Sequence, residues 1–346
     1  MPAEVVVIGL RFSGLEPTRA PNSRRSPRCG RSLAVTVPGP ETCALPAGGL
    51  EVAKPKLGDR TYDHRPGELY AICLVKNEED IIGETLAHAA GHCKRIFVLD
   101  NGSTDTTWEL VQALSRADST IVPFGRTFEP YRRSLRSQIY YEIGSRLPED
   151  AWWLVLDADE FLAEDPQPVI RQAVQEGADV IRTWQIAFYF TDVDLRAWEE
   201  GKDSRSESIV NRRRYYRIDS QEKRLFRNWR NLRWTDGNVP EDVYRMCKRR
   251  IFNRHYRFRD PDQMAKRLLA KSALPSHPRS SVRDWRAMVV DSRKCDFHRD
   301  GDPWRFHFWF MTTYYRKKFR RRLRNKWHRV MRWVSGMISS ENKAAP

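Results

Sequence analysis

The sequence predicts an α/β fold in which helices flank a mixed, mainly parallel sheet. Apolar runs of strand length recur along the chain, segments with helical spacing of apolar residues separate them, and polar clusters follow three of the runs. Strands that alternate with helices are typical of a mainly parallel sheet. In such a sheet, ligands bind outside the carboxyl ends of the strands.

The first two strands follow from their apolar runs. The segment 69–75 is continuously apolar and has the length expected for a strand buried on both faces. A helix that carries Ile81, Ile82 and Leu86 follows it, and the segment 95–99 makes the second strand. Two polar clusters, 76–80 and 100–105, come directly after these strands.

The second helix places Trp108, Val111 and Leu114 on one face. Thr106 and Glu109 have the spacing of a capping box, in which each side chain accepts a hydrogen bond from a backbone amide at the helix start. We therefore expect the helix to begin at this box.

The later elements repeat the alternation. A short strand at 120–122 precedes a helix over 131–147, and the apolar run 152–156 makes the next strand. The segment 179–184 offers one more strand.

The junction after the run 152–156 is the most informative feature of the chain, because the apolar run ends abruptly in Asp157-Ala158-Asp159-Glu160. Residues two apart on an extended chain point to the same side, so Asp157 and Asp159 would repel each other unless a cation lay between them. Hard cations take oxygen ligands, which favours Mg²⁺ or Mn²⁺ and a phosphorylated substrate. The alternative is that these acids cap a helix or face solvent.

Composition limits the partners and the compartment. The net charge of +16 over 346 residues favours polyanionic partners, such as nucleotides, anionic lipid or nucleic acid. Six cysteines without CxxC pairing argue against a zinc site or a disulfide framework and suit a reducing compartment. No run approaches the roughly 18 apolar residues of a membrane span. We expect a cytoplasmic protein, peripheral at the inner face of the cell membrane.

Three motifs in order resemble family 2 glycosyltransferases of the GT-A fold. They are Lys76-Asn77-Glu78-Glu79, Val98-Leu99-Asp100-Asn101-Gly102-Ser103-Thr104-Asp105 and Leu156-Asp157-Ala158-Asp159-Glu160-Phe161. The resemblance is close over 68–190 and looser to 272. It implies a GT-A type, Rossmann-like fold and a metal-dependent, inverting transfer of sugar from a nucleotide-diphosphate sugar to a glycan or lipid-linked acceptor.

The resemblance also assigns site residues. Asp157 and Asp159 look like the DxD pair that holds the metal. Asp100 matches the acidic residue that binds the base or ribose, whereas Asn101 stands where a second Asp is frequent, which leaves the nucleotide open. The resulting nucleotide-sugar contacts are Asn77, Glu78, Asp100, Asn101, Asp157 and Arg136.

Three arginines of the helix before the metal strand have two interpretations. Arg132, Arg133 and Arg136 either contact the diphosphate or sugar or form a solvated helix face, and the solvated face is favoured. Arg136 is kept as the candidate contact.

Two further assignments lie downstream. His255 resembles a late histidine that joins the two carboxylates on the metal, although a histidine beside aromatic residues is more often packed or at the surface. An inverting reaction needs a carboxylate that removes the acceptor's proton. Asp242, with Glu241 next, looks like that base, and the alternative is a solvated loop.

The chain divides into three predicted parts. Residues 1–66 are rich in Pro, Gly, Ser and Arg and are expected to be disordered. Residues 67–275 form the GT-A domain, and residues 276–346 form a basic, aromatic helical extension. Cationic residues interleaved with aromatic ones over 304–346 favour an amphipathic helix on an anionic membrane surface. Nucleic acid and a packed terminal helix are the alternatives.

Two other functions fit part of the pattern. A nucleotidyltransferase shares the sheet and the metal carboxylates, but it would favour a Gly-rich basic loop after the first strand, where this chain has Lys76-Asn77-Glu78. A non-enzymatic nucleic-acid-binding protein explains the charge but gives no reason for three acidic strand ends. We therefore expect no nucleic acid partner.

Overall fold

A computed structural model describes residues 67–272 and 284–306 of the chain. The predicted disordered segment 1–66 and residues 307–346 of the basic tail lie outside the described residues. In the described ranges, no helix has the length and apolarity that crossing a membrane requires.

The described residues form nine strands and seven α-helices. The strands are β1 (Leu69–Val75), β2 (Arg95–Asp100), β3 (Ile121–Arg126), β4 (Trp152–Asp157), β5 (Glu160–Leu162), β6 (Val180–Phe188), β7 (Tyr215–Arg227), β8 (Ile251–His255) and β9 (Asp296–Phe297). The helices are α1 (Ile82–Ala90), α2 (Thr107–Ala117), α3 (Ser137–Ile143), α4 (Gln167–Gln175), α5 (Asp192–Glu199), α6 (Ile209–Arg212) and α7 (Pro261–Ser272).

The described strands form one mixed sheet in the order β3-β2-β1-β4-β7-β6-β8-β5, and β9 pairs with β7. Strands β3, β2, β1 and β4 are parallel, which makes a parallel half. Strand β7 is antiparallel to both β4 and β6, so β7, β6, β8 and β5 make a mixed half.

Strand β1 lies at the centre of the parallel half and is buried on both faces, as predicted. Leu69, Ala71, Cys73 and Val75 pack into one apolar cluster with α1 and α4. Tyr70, Ile72 and Leu74 pack into a second cluster with α3 on the opposite face. A strand between two apolar layers must be apolar at every position, which explains the continuous run.

The strand register brings the strand ends level. Val75 pairs with Asp100 of β2, and Leu74 pairs with Asp157 of β4. The polar residues that follow β1, β2 and β4 therefore emerge at the same edge of the sheet.

Two local predictions need correction. The helix predicted over 131–147 starts at Arg133, because the backbone at Arg132 is still extended, and only its middle, α3, is α-helical; Arg133–Arg136 and Gly144–Arg146 are 3₁₀ turns. The capping box is also absent: the Thr106 side chain makes no capping bond, and its hydroxyl donates to Glu79 at 2.8 Å. The Asp105 carboxylate instead accepts a hydrogen bond from the Thr107 amide, at the start of α2, at 3.1 Å.

The segment 284–306 packs on the mixed half of the sheet. Strand β9 pairs with the start of β7, and the Trp304 ring stacks on His298 with centroids 4.1 Å apart. Phe306 meets Trp184 of β6 edge-on at 4.9 Å. The first residues of the predicted tail are therefore held by aromatic contacts.

Candidate active site

A cavity of about 370 Å³ opens where the strand ends meet. Glu78 follows β1, Asn101 follows β2, and Asp157 and Asp159 lie at and after the end of β4; all four line this cavity. The predicted convergence of three strand ends is thus present.

Asn77 and Asp100 shape the loops and do not line this cavity. Asp100 is fully buried and accepts hydrogen bonds from the Ser103 amide at 2.9 Å and from Arg126 Nε at 3.0 Å. Asn77 has a positive φ of 54°, and its side-chain oxygen accepts from the Thr104 amide at 2.8 Å. Asn77 lines a neighbouring cavity of about 600 Å³.

Asp157 is held by two arginines. Its Oδ1 accepts from Arg136 at 2.5 Å, and its Oδ2 accepts from Arg224 at 2.8 Å. Burial raises the pKa of Asp157, but the Arg224 and Arg136 guanidiniums outweigh burial and hold that pKa well below its usual range. Both arginine side chains are only 3% exposed. The favoured interpretation of a solvated helix face is therefore wrong for Arg136, although Arg132 is exposed.

Asp159 lies beside His255, the histidine that the sequence analysis assigned to the same metal. Strand pairing of Glu160 with His255 brings the histidine beside the acidic turn. Asp159 Oδ2 lies 3.3 Å from His255 Nε2, and both residues line the cavity. Burial lowers the pKa of His255, but the Asp159 carboxylate more than offsets it, so the net shift of the His255 pKa is upward.

The residues fit a divalent ion in part. Two ligand atoms bound to one octahedral ion at about 2.1 Å lie roughly 3 Å apart, which matches Asp159 and His255. Asp157 fits less well, because both of its oxygens accept from guanidinium groups and an ion there would lie beside two fixed positive charges. Among the described residues, no group of three or more His, Cys, Asp or Glu side chains forms a ready metal site. An ion here would need phosphate or water oxygens to complete its shell.

The structure does not bring the predicted base candidates into the cavity. Asp242 accepts from the Arg233 amide at 2.7 Å, and Glu241 accepts from the Thr235 hydroxyl. Neither residue lines the cavity. Their assignment as base stays a prediction.

Sequence reasoning missed the residues that the mixed half contributes. Glu222 and Arg224 of β7 and Asn238 of the following loop line the cavity. Arg224 contacts three carboxylates, those of Asp157, Glu160 and Glu222, within 2.9 Å. The one signal in the sequence is a charged residue directly before the apolar pair Leu225-Phe226.

The cavity is cationic. Six lysine and arginine residues line it against four carboxylates, which gives a net charge of +2 with His255 neutral. The six cations are Lys76, Arg133, Arg136, Arg224, Arg257 and Arg267.

Solved structures give distant matches. The Staphylococcus aureus protein TarS is 12% identical with a TM-score of 0.33, and the match covers 60% of this chain and 40% of TarS. The mannosyltransferase PcManGT from Pyrobaculum calidifontis, solved with GDP-Man and Mn²⁺, is 11% identical with a TM-score of 0.36, over 62% of this chain and 65% of that one. The chain thus spans less than two thirds of either structure. No curated protein matches the chain.

A family model gives the decisive comparison. The model described as glycosyl transferase family 2 matches residues 70–254, which include the three strand-end motifs and Arg224. That span exceeds half of the chain. It confirms the predicted family, fold class and enzyme class: the chain belongs to glycosyl transferase family 2.

Proposed function

We propose that the protein transfers a sugar from a nucleotide-diphosphate sugar to an acceptor, with inversion at the sugar, and that the cavity of about 370 Å³ binds the donor. The observation that carries the proposal is the net positive charge of a cavity at the carboxyl ends of the sheet strands. A diphosphate is the part of the donor that such a cavity attracts.

The chain's own residues would bind and orient the leaving diphosphate. Arg136 and Arg224 stand on either side of Asp157, and Arg133, Arg257 and Lys76 add positive charge around them. Fixed cations stabilise the negative charge that develops as the sugar departs. A Mg²⁺ or Mn²⁺ ion held by Asp159 and His255 would supply further charge neutralisation when bound.

Glu222 is our candidate for the base. Its Oε2 accepts from Asn238 at 2.9 Å and lies 2.9 Å from Arg224, which fixes the carboxylate. No described residue bonds its Oε1, and its side chain is 34% exposed in the cavity wall. A base must reach the acceptor hydroxyl, and Glu222 has an open oxygen there. The predicted pair of Asp242 and Glu241 remains the alternative.

Calorimetric titration tests the donor site. UDP-, GDP- and dTDP-sugars are titrated into the full chain with MnCl₂ and separately with EDTA. We expect one nucleotide class to bind, and Asp159→Asn to weaken its binding in MnCl₂. Asp118→Asn is the matched control, because Asp118 lies at the end of α2 and does not line the cavity. The proposal fails if none of the three nucleotides binds wild type.

The acceptor class is proposed from the basic tail. Aromatic and cationic residues over 304–346 support contact with an anionic membrane, where lipid-linked or envelope glycan acceptors are found. Flotation of the full chain with vesicles that contain anionic lipid tests this. We expect Arg320→Gln/Arg321→Gln/Arg322→Gln to reduce flotation. Equal flotation of wild type and the triple variant would contradict the proposed membrane contact. Flotation of wild type with uncharged vesicles but not with anionic ones would also contradict it.

A further inference from the structure

We propose that Asp157 does not bind the metal but positions Arg136 and Arg224 as a diphosphate grip that works without a metal ion. The inference rests on the proposed donor site and assigns that site's two carboxylates different tasks. Asp157 organises protein cations, whereas Asp159 with His255 faces the ion. We call Arg136, Asp157 and Arg224 the arginine grip.

The geometry of Asp157 supports this division. Arg136 comes from the 3₁₀ turn before α3 and reaches Oδ1, and Arg224 comes from β7 and reaches Oδ2. Because a guanidinium stays charged at all physiological pH values, neither arginine can make room by losing a proton. An ion on either oxygen would lie a few ångströms from a fixed positive charge, and the two would repel each other.

Asp159 has a different partner. Its neighbour at 3.3 Å is an imidazole, and a neutral imidazole nitrogen carries a lone pair that can bind an ion. The arginines nearest to Asp159, Arg259 and Arg267, are farther away at 3.8 Å. An ion between Asp159 and His255 would therefore be farther from fixed positive charge than an ion on Asp157, whose oxygens lie 2.5 Å and 2.8 Å from guanidinium nitrogens.

Unsatisfied donors point to an anionic ligand. Nε and Nη1 of Arg136 and Nε and Nη1 of Arg224 are buried and have no hydrogen-bond acceptor among the described residues. Buried donors are nearly always paired in proteins, so such atoms call for an explanation. Both side chains line the cavity. Phosphate oxygens are the acceptors that guanidinium groups match best, through paired hydrogen bonds.

Binding of inorganic pyrophosphate in EDTA is the direct test. Pyrophosphate carries the proposed ligand chemistry without a base or a sugar, and EDTA removes the contribution of any ion. We expect wild type to bind, in EDTA, both pyrophosphate and the nucleoside diphosphate (UDP, GDP or dTDP) of the donor class that binds in the calorimetric titration. We expect Asp157→Asn to weaken both by about tenfold or more, and by the same factor in MnCl₂ as in EDTA.

The matched variant is Asp159→Asn. It keeps the arginine grip, so pyrophosphate should still bind in EDTA while the gain from MnCl₂ disappears. Mn²⁺ binding followed by electron paramagnetic resonance should be retained in Asp157→Asn and lost in Asp159→Asn. The proposal is overturned if Asp157→Asn abolishes Mn²⁺ binding or leaves pyrophosphate binding in EDTA unchanged.

A conservative substitution of Arg136 distinguishes binding of the diphosphate from a purely structural role of this arginine. Arg136→Lys keeps the charge beside Asp157 but removes the forked donor. We expect weaker pyrophosphate binding in EDTA with Mn²⁺ affinity unchanged, and this variant also serves if Asp157→Asn does not fold. If wild type binds its nucleoside diphosphate only with MnCl₂, the arginine grip is overturned and the donor site stands. Wild type that binds no nucleotide at all overturns the donor site itself.

Discussion

The two halves of the sheet bring different side chains to the cavity. The parallel half contributes carboxylates at strand ends, among them Glu78, Asp157 and Asp159. The mixed half contributes Arg224 and His255, which pair with Asp157 and Asp159. Without the mixed half, Asp157 would keep only Arg136 and Asp159 would lose the imidazole of His255, and an unpaired buried charge is costly. The site therefore exists only where the halves join.

The comparison is tested most strongly by Glu222, because it is the one carboxylate that the mixed half places in the cavity. Glu222→Gln should lower kcat for turnover of the bound nucleotide sugar by about 10²–10⁴ while nucleotide affinity stays near wild type. Initial rates and calorimetry on the same sample measure the two quantities.

Glu241→Gln and Asp242→Asn are the matched controls for this experiment, since neither residue lines the cavity. We expect their kcat to remain within about threefold of wild type. A larger loss in either of them than in Glu222→Gln would move the base to the loop that follows β7.

Substitution of Arg224 tests whether its ion pairs with three carboxylates stabilise the fold. Arg224→Met leaves Asp157, Glu160 and Glu222 without their shared cation, so the free energy of unfolding should fall by about 3–5 kcal/mol. Urea denaturation followed by circular dichroism measures the change. Arg230→Met removes an exposed arginine paired with Glu149 and should cost less than about 1 kcal/mol. Equal losses of unfolding free energy in the two variants would mean that the buried pairs of Arg224 stabilise the fold no more than an exposed ion pair does.

His88 tests a neutral link between the halves. The α1 side chain bonds the Leu162 carbonyl of β5 at 2.9 Å, and burial lowers the pKa of His88 to about 4. Below about pH 6.5, His88 binds a proton in the unfolded chain but stays neutral in the folded chain. The contribution of neutral His88 to the free energy of unfolding is therefore fully present above pH 6.5 and is lost as the pH falls towards 4. The loss amounts to up to about 2 kcal/mol after allowance for partial exposure.

His88→Gln keeps a donor for Leu162 and removes this titration. Its urea midpoint should vary less than that of wild type between pH 6.5 and 4. Parallel pH profiles for the two proteins would show that His88 does not carry the effect.

The smallest effect concerns the parallel half alone. Asp105→Ala removes the carboxylate that caps α2 at Thr107 and should lower the free energy of unfolding by about 1 kcal/mol. Asp105→Asn retains a capping oxygen and should stay within about 0.5 kcal/mol of wild type. Thermal unfolding of the three proteins checks this. A larger cost for Thr106→Ala would restore the capping box that the sequence predicted.

The parallel half could be predicted from the sequence because each cause is local. Strands buried on both faces need continuous apolar runs, and β1 and β4 have them. The polar residues that follow such runs are contiguous, so Asp157 and Asp159 were recognisable as a pair. The family resemblance added the order of the motifs.

The mixed half could not be predicted in the same way. Strand β7 carries many charged residues among its apolar ones, so no run or strict alternation marks it. Arg224 reaches Asp157 across 67 positions of the chain, a contact that no local pattern encodes. His255 was found only through the resemblance. The base assignment to Asp242 followed an acidic pair that does not line the cavity, although Asn238 of the same loop does.

The antiparallel pairing of β4 with β7 also has a consequence for synthesis on the ribosome. Chains emerge from the amino end, so β1, β2 and β4 are complete before β7 exists. Until Arg224 has left the exit tunnel, Asp157 and Glu160 have no guanidinium from β7 beside them, and β4 has an open edge. Nascent chains arrested near residue 200 should therefore be protease-sensitive. Chains arrested beyond residue 260, from which β7 has left the exit tunnel, should be resistant.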